Sequence, residues 1–415
     1  MLRSAVVASI LFSAACLTNG VTDESLSTTE QLAATVPWKQ AAKWPYRLSG
    51  SRMYVHYQAA GDLAMAQTVL ADIEDAWTKQ MTQGGSRIPL DDGGLAGPDG
   101  RFDVYLQRGL NSLYVDAVAT NDATTWDDYS TAMVLDPWGQ YGGVEMRPNV
   151  FHELRHASQA VDDWWEHAFL FEAEATAWET AYYGYDRIDY VWTDYQAHPE
   201  WMPFKNDRYV TWYMYGGAMF FLWLRQNVFA NSLAFTNDMW LASRNPAGTN
   251  EPDFCDALEP LLAARGTSLF AQVTSFARAR WYTGSRANGT LDGGASIAEV
   301  ATKSHARASG AARTSFIPGP EVLGTVYTVV TAAPTDGATL RVSLSNIAAG
   351  MKPVVQVVGQ GAGDRVLDLS TGSATVSVVG GKVVLAVTMQ PANGQFDPDT
   401  VGTQLYKATV NIDKI

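Results

Sequence analysis

A chain of 415 residues with 47% hydrophobic and 17% charged residues is long enough for two domains with full cores, which excludes a disordered protein. Its 43 acidic against 29 basic residues give a net charge of −14, which repels phosphate backbones and anionic membrane surfaces and excludes nucleic acid as a partner. Its two cysteines, Cys16 and Cys255, make no disulfide framework, and nothing near Cys255 supplies the paired base that a nucleophile needs.

Met1-Leu2-Arg3 and the apolar run over 5–15 have the layout of a secretory signal, too short to span a bilayer. Ser13-Ala14-Ala15-Cys16 resembles a bacterial lipobox, so residues 1–16 predict export that ends either in plain cleavage or in a lipid anchor at Cys16, the only membrane attachment expected. The polar stretch 17–37 reads as a flexible leader, and the body begins near Trp38. Residues 52–57 alternate as a strand, and 63–81 carry Val69, Leu70, Ile73 and Trp77 at helical spacing. Asp91-Asp92-Gly93-Gly94 through Asp99-Gly100 is a loop whose acids either bind calcium or simply make turns. Strands are predicted next over 102–106 and 131–135.

His152-Glu153-Leu154-Arg155-His156 follows. At about 100° per residue, His156 lies about 40° round a helix from His152, and Glu153 about 100°, so two imidazoles and a carboxylate share one side. That is the short form of a zinc hydrolase site. Pro148-Asn149 predicts a helix starting near Val150 with Asn149 as its cap. Two of the chain's six histidines fall in this one turn, and buried histidines need partners. Arg155 is expected to reach solvent or a neighbouring carboxylate, without a catalytic role.

Catalytic zinc takes three protein ligands and leaves a position for water, so a third donor is required. The helix-forming run over 171–179 offers Glu172 or Glu174, about 200° apart, so that only one of them can face a metal. Glu179 lies about 20° from Glu172 after two turns, and either supports a ligand or sits on the surface.

All 14 tryptophans lie between positions 38 and 281. From about 320 the chain turns to β-branched runs over 326–330, 340–344, 354–358 and 375–379, and Gly380-Gly381 predicts a two-residue hairpin into 382–388. Residues 320–415 therefore read as a β-sandwich domain. Gly359, Gly361 and Gly363 precede no helical pattern and read as turns, not as a nucleotide loop.

The HExxH helix followed by Glu-Ala-x-Ala-x-x-x-Glu resembles the gluzincin metallopeptidases. His156-Ala157-Ser158-Gln159, Trp164-Trp165, Tyr215-Gly216-Gly217 before an apolar helix, and Phe276-Ala277 through Trp281-Tyr282-Thr283-Gly284 are similar to secreted or lipid-anchored bacterial metalloproteases of that clan. The resemblance covers roughly residues 46–310 and departs from the pattern at Arg155, where an aromatic or apolar residue is common. It implies an α+β zincin-like peptidase domain over 38–315 holding one zinc per chain on His152, His156 and Glu172. Glu172 is chosen over Glu174 because only from Glu172 does the second Glu of the pattern fall on Glu179. Glu153 is then the general base, and protein or peptide is the substrate. A strand before the metal helix would bind that substrate by edge addition. For the donor to the developing oxyanion, Tyr213, Tyr215 and Tyr183 are candidates, and Tyr215 is selected. Two rival expectations stand beside this one: a cell-envelope binding protein with a structural or vestigial zinc site and a ligand-binding β-sandwich, or a binding module with no metal.

Overall fold

The computed structural model describes residues 37–415 apart from 111, 122, 140–141, 205–211, 247–248 and 401–403. The expected export signal, Cys16 and almost all of the leader lie outside the described residues. Contacts divide the chain into two compact units, the first holding residues 37–168 and 244–251, the second 169–243 and 252–415. No helix among the described residues is long and apolar enough to cross a membrane.

The first unit is built on a five-stranded sheet. Its strands are β1 (Tyr46–Ser49), β2 (Met53–Tyr57), β3 (Phe102–Leu106), β4 (Leu113–Thr120) and β5 (Tyr129–Leu135), in the spatial order β1-β2-β3-β5-β4. The central strands β2, β3 and β5 run parallel, and both edges, β1 and β4, are antiparallel to their neighbours. β2 and β3 are buried at every residue, as parallel strands covered on both faces must be. Helix α1 (Leu63–Trp77) follows β2 and continues through a π turn, Thr78–Gln83. It packs against α2 (Met146–Gln159), which also lies on β4 and β5.

Two expectations need correction here. The strand read at 131–135 corresponds to β5, which is interior, so it is not the edge that could accept a peptide; that edge is β4, half-exposed along most of its length and bulged between Ala117 and Ala119. Its mixed pattern hid it from a search for strict alternation. Helix α2 begins at Met146, preceded by a 3-10 turn over Gly143–Glu145, and not near Val150. Pro148 sits in the first turn, where a missing N–H costs nothing because the helix has no acceptor for it, and Asn149 lies within the helix and does not cap it.

The acids of the 91–100 loop are engaged in turns. Asp91 accepts from Gly93 N–H (2.7 Å), Asp92 from the N–H groups of Gly94 (2.8 Å) and Ala96 (2.6 Å), and Asp99 from Tyr54 and Arg101. Turn chemistry accounts for these acids, and among the described residues they form no group of three ligands that could hold a metal ion.

The second unit begins with α3 (Ala168–Tyr183) and α4 (Asp189–Ala197), then α5 (Tyr213–Gly216), α6 (Ala218–Asn227), α7 (Phe235–Ala242), α8 (Phe254–Ala263) and α9 (Leu269–Trp281). Gly216 and Gly217 permit close packing: a Cβ on Gly216 would lie 2.3 Å from Tyr195, and one on Gly217 2.3 Å from the Phe169 ring. Its β-rich part starts earlier than 320, with β6 (Lys303–Ala306) and β7 (Arg313–Phe316), polar strands without a hydrophobic alternation to announce them. The remaining strands are β8 (Thr325–Thr331), β9 (Thr339–Ser345), β10 (Met351–Val358), β11 (Arg365–Val366), β12 (Ser373–Ser377), β13 (Lys382–Pro391) and β14 (Thr409–Lys414). They form two sheets, β11-β10-β13-β8-β6 and β12-β9-β14-β7, whose inner faces share one core of Val330, Leu340, Val355, Leu385 and Ile412 with their neighbours. Gly380 and Gly381 both take positive φ, +57° and +74°, as a tight two-residue turn requires. Only the Val379–Lys382 bridge forms beside the turn, because β12 and β13 belong to different sheets; the turn passes the chain across the core and closes no ladder.

Candidate metal centre

Helix α2 carries the histidine turn. Its side chains from Val150 to Arg155 are all buried, His152 with 7% and Glu153 with 8% exposure, and His156 is half-buried. The His152 and His156 rings stand 4.7 Å apart and almost perpendicular, at 86°. His156 Nδ1 meets Gln159 Oε1 at 2.7 Å. An amide oxygen only accepts, so Nδ1 donates to it, and Nε2 is the ring nitrogen this contact leaves for a metal. Gln159 was not singled out as functional from the sequence, although its position three residues after His156 on one helix was the available signal.

Arg155 does not reach solvent. It is 1% exposed and donates from Nη1 to Ser86 Oγ at 2.6 Å. The Asp162 carboxylate is close enough for the Arg155 charge to lower its pKa, while burial raises it more strongly, and Arg244 (2.5 Å) and Arg87 (3.6 Å) also pair with it. Gln80, at the end of the π turn after α1, donates to the Phe151 carbonyl at 2.6 Å, and Arg147 donates to Asp72 at 2.9 Å. The histidine helix is thus tied along its length to α1 and to the turn that follows it.

On α3, Glu172 is half-buried and Glu174 fully buried. His152, His156 and Glu172 form a group whose ligand atoms lie within 4.8 Å of one another, a set that could hold a metal ion. Glu174 is engaged elsewhere: Thr236 donates to it at 2.6 Å, and Trp178 Nε1 donates to the Thr236 hydroxyl at 3.0 Å. It is a buried acid and not a solvated one. Glu179 is not a surface group either, since it is 6% exposed and accepts from Arg187. Among the tyrosines, the Tyr213 hydroxyl donates to the backbone carbonyls of Trp201 (3.3 Å) and Met202 (3.2 Å), and burial raises its pKa well above the usual value. Tyr215 is half-buried with its ring edge-on to Trp212 at 5.4 Å.

No protein-family model matches this chain, and no curated protein matches it in sequence.

Proposed function

We propose that this chain is an exported zinc-dependent endopeptidase of the gluzincin kind, either secreted or anchored by lipid at the cell envelope, that hydrolyses peptide bonds in protein or peptide substrates. The observation that carries this reading is the donor group of His152, His156 and Glu172, ligand atoms within 4.8 Å, with Glu153 on the same helix as the two histidines. Two imidazoles and a carboxylate suit zinc, and three protein donors are the number a catalytic site uses. A zinc ion held there would supply Lewis acidity, acidifying water and polarising the scissile carbonyl. Glu153 takes the proton of the attacking water and returns it to the leaving amine. Gln159 fixes the orientation of the His156 ring through Nδ1. Tyr215 donates to the developing oxyanion, and an extended substrate adds its backbone along the free edge of β4. A purely structural zinc site would need no base, which is why Glu153 favours an enzyme over a binding protein.

Elemental analysis of the full chain, beside His156→Ala and Glu153→Gln, tests the reading. About one zinc per chain is expected, lost from His156→Ala and retained by Glu153→Gln, with proteolysis in the latter reduced at least ~100-fold. No zinc after reconstitution would overturn the metal centre. Undiminished proteolysis in Glu153→Gln would overturn the assigned base, and zinc without proteolysis in the wild type would leave a binding protein.

A further inference from the structure

Past the end of α2, the first unit contains a second group of acids that the metal centre does not use. Asp163 is 0% exposed and Asp127 3%, and their carboxyl groups lie within hydrogen-bond reach of each other. Three stretches of chain meet there. Trp164 N–H donates to the Asp127 carbonyl (3.1 Å), Asp127 N–H to the Asn245 carbonyl (3.2 Å), and Tyr129 N–H to the Ala160 carbonyl (2.9 Å). Asp163 accepts on one oxygen from Trp165 N–H (3.0 Å) and on the other from the Asn245 amide (2.9 Å).

Asp127 has no such support. Among the described residues, neither of its carboxyl oxygens has a hydrogen-bond partner in place, and besides Asp163 only its own backbone N–H is near enough to lower its pKa. Asp128, 2% exposed and bonded by Asn121 (2.9 Å) and Thr124 (2.5 Å), adds a further negative charge that Asp127 senses. The nearby cations are occupied with other groups: Arg244 and Arg87 lie on Asp162, and Arg155 donates to Ser86. Among the described residues, none of Asp127, Asp128 and Asp163 is paired with a lysine or arginine. Two buried carboxyls in contact must hold either a proton or a cation between them, since an isolated buried charge is strongly unfavourable.

We propose that Asp127 and Asp163 are ligands of a second metal site, for a hard divalent cation of the calcium type, which clamps the exit of α2 to residues 244–245. The donors available there are the two unpartnered carboxyl oxygens of Asp127 and the Asp163 carboxyl beside them, hard oxygen ligands. Such a set suits calcium, which tolerates irregular geometry and higher coordination numbers, and does not suit zinc. The clamp fixes the turn after the histidine helix by a device independent of the zinc donors.

The test uses the full chain with its zinc centre loaded and no other divalent cation present, titrated with calcium chloride alone and followed by calorimetry and thermal unfolding. Wild type is expected to bind one calcium and to gain several degrees in Tm. Asp127→Asn and Asp163→Asn are each expected to lose at least tenfold in calcium affinity together with the gain in Tm. Without calcium, Asp127→Asn should unfold at or above the wild-type temperature, because an unpartnered buried carboxyl is gone, whereas Asp163→Asn loses an acceptor for Trp165 or Asn245 and should unfold below it. Absence of any calcium response in wild type would overturn the proposal, as would a response retained in both variants, which would put the cation elsewhere. Zinc content and proteolysis are read in parallel, so that their failure with the calcium response intact would sink the peptidase reading and leave this site standing.

Discussion

Glu172 and Glu174 stand two residues apart on α3 and do different work. Glu172 belongs to the metal donor group, while Glu174 is fully buried under the Thr236 hydroxyl. Glu172→Gln is therefore expected to lose zinc and proteolysis together. Glu174→Gln should keep zinc and lose about 1–3 kcal/mol of stability, the cost of disturbing a buried hydrogen bond, as measured by urea unfolding. If Glu174→Gln lost the metal instead, the assignment of the third ligand would be reversed. Gln159 is the other residue whose role is local: Gln159→Leu removes the acceptor for His156 Nδ1 and should weaken zinc binding about 10–100-fold without unfolding the chain, as read by competition with a chelator.

Helix α2 is positioned by buried polar contacts that a hydrophobic pattern does not announce. Arg155 to Ser86, Gln80 to the Phe151 carbonyl and Arg147 to Asp72 each join it to a separate stretch of chain. Arg155→Met should cost about 2–4 kcal/mol, because it leaves Ser86 without its donor and removes one of the charges facing Asp162; a melting temperature equal to wild type would show that the contact is dispensable. The Asp127–Asp163 pair gives the same element a pH dependence. Burial first, and then the charge of Asp127, pushes Asp163 up to about 9, and burial with the Asp128 charge raises Asp127 to about 6. Both folded values lie above the ordinary carboxyl value of 3.8, so the stability linked to these protons is complete in acid and is lost as pH rises through about 6 and then about 9. In calcium-free buffer the melting temperature should fall between pH 6 and pH 9, and Asp163→Asn should flatten that fall. An equal slope in the variant would locate the titrating group elsewhere.

Across the whole molecule, metal and fold should be linked, because His152, His156 and Glu172 converge only in the native chain. Chelation is expected to abolish proteolysis and lower the melting temperature, and zinc alone should restore both; activity that survived complete removal of zinc would exclude the mechanism. The turn 152–156 was legible in the chain because its geometry is local: a 3.6-residue period puts both histidines and Glu153 on one side of a helix whatever the rest of the molecule does. The main strands of the C-terminal region were legible for a similar reason, since runs of valine and leucine bounded by glycine mark their own ends, whereas β6 and β7 carry no such signal. Which strand forms the free edge, which acid stays buried and where Arg155 goes were decided by partners far away in sequence. Ser86 lies 69 residues from Arg155, Thr236 62 from Glu174, and Arg244 82 from Asp162. A charge or hydroxyl becomes costly or useful only once folding has removed its water and chosen its neighbours, and periodicity along the chain carries no record of that choice.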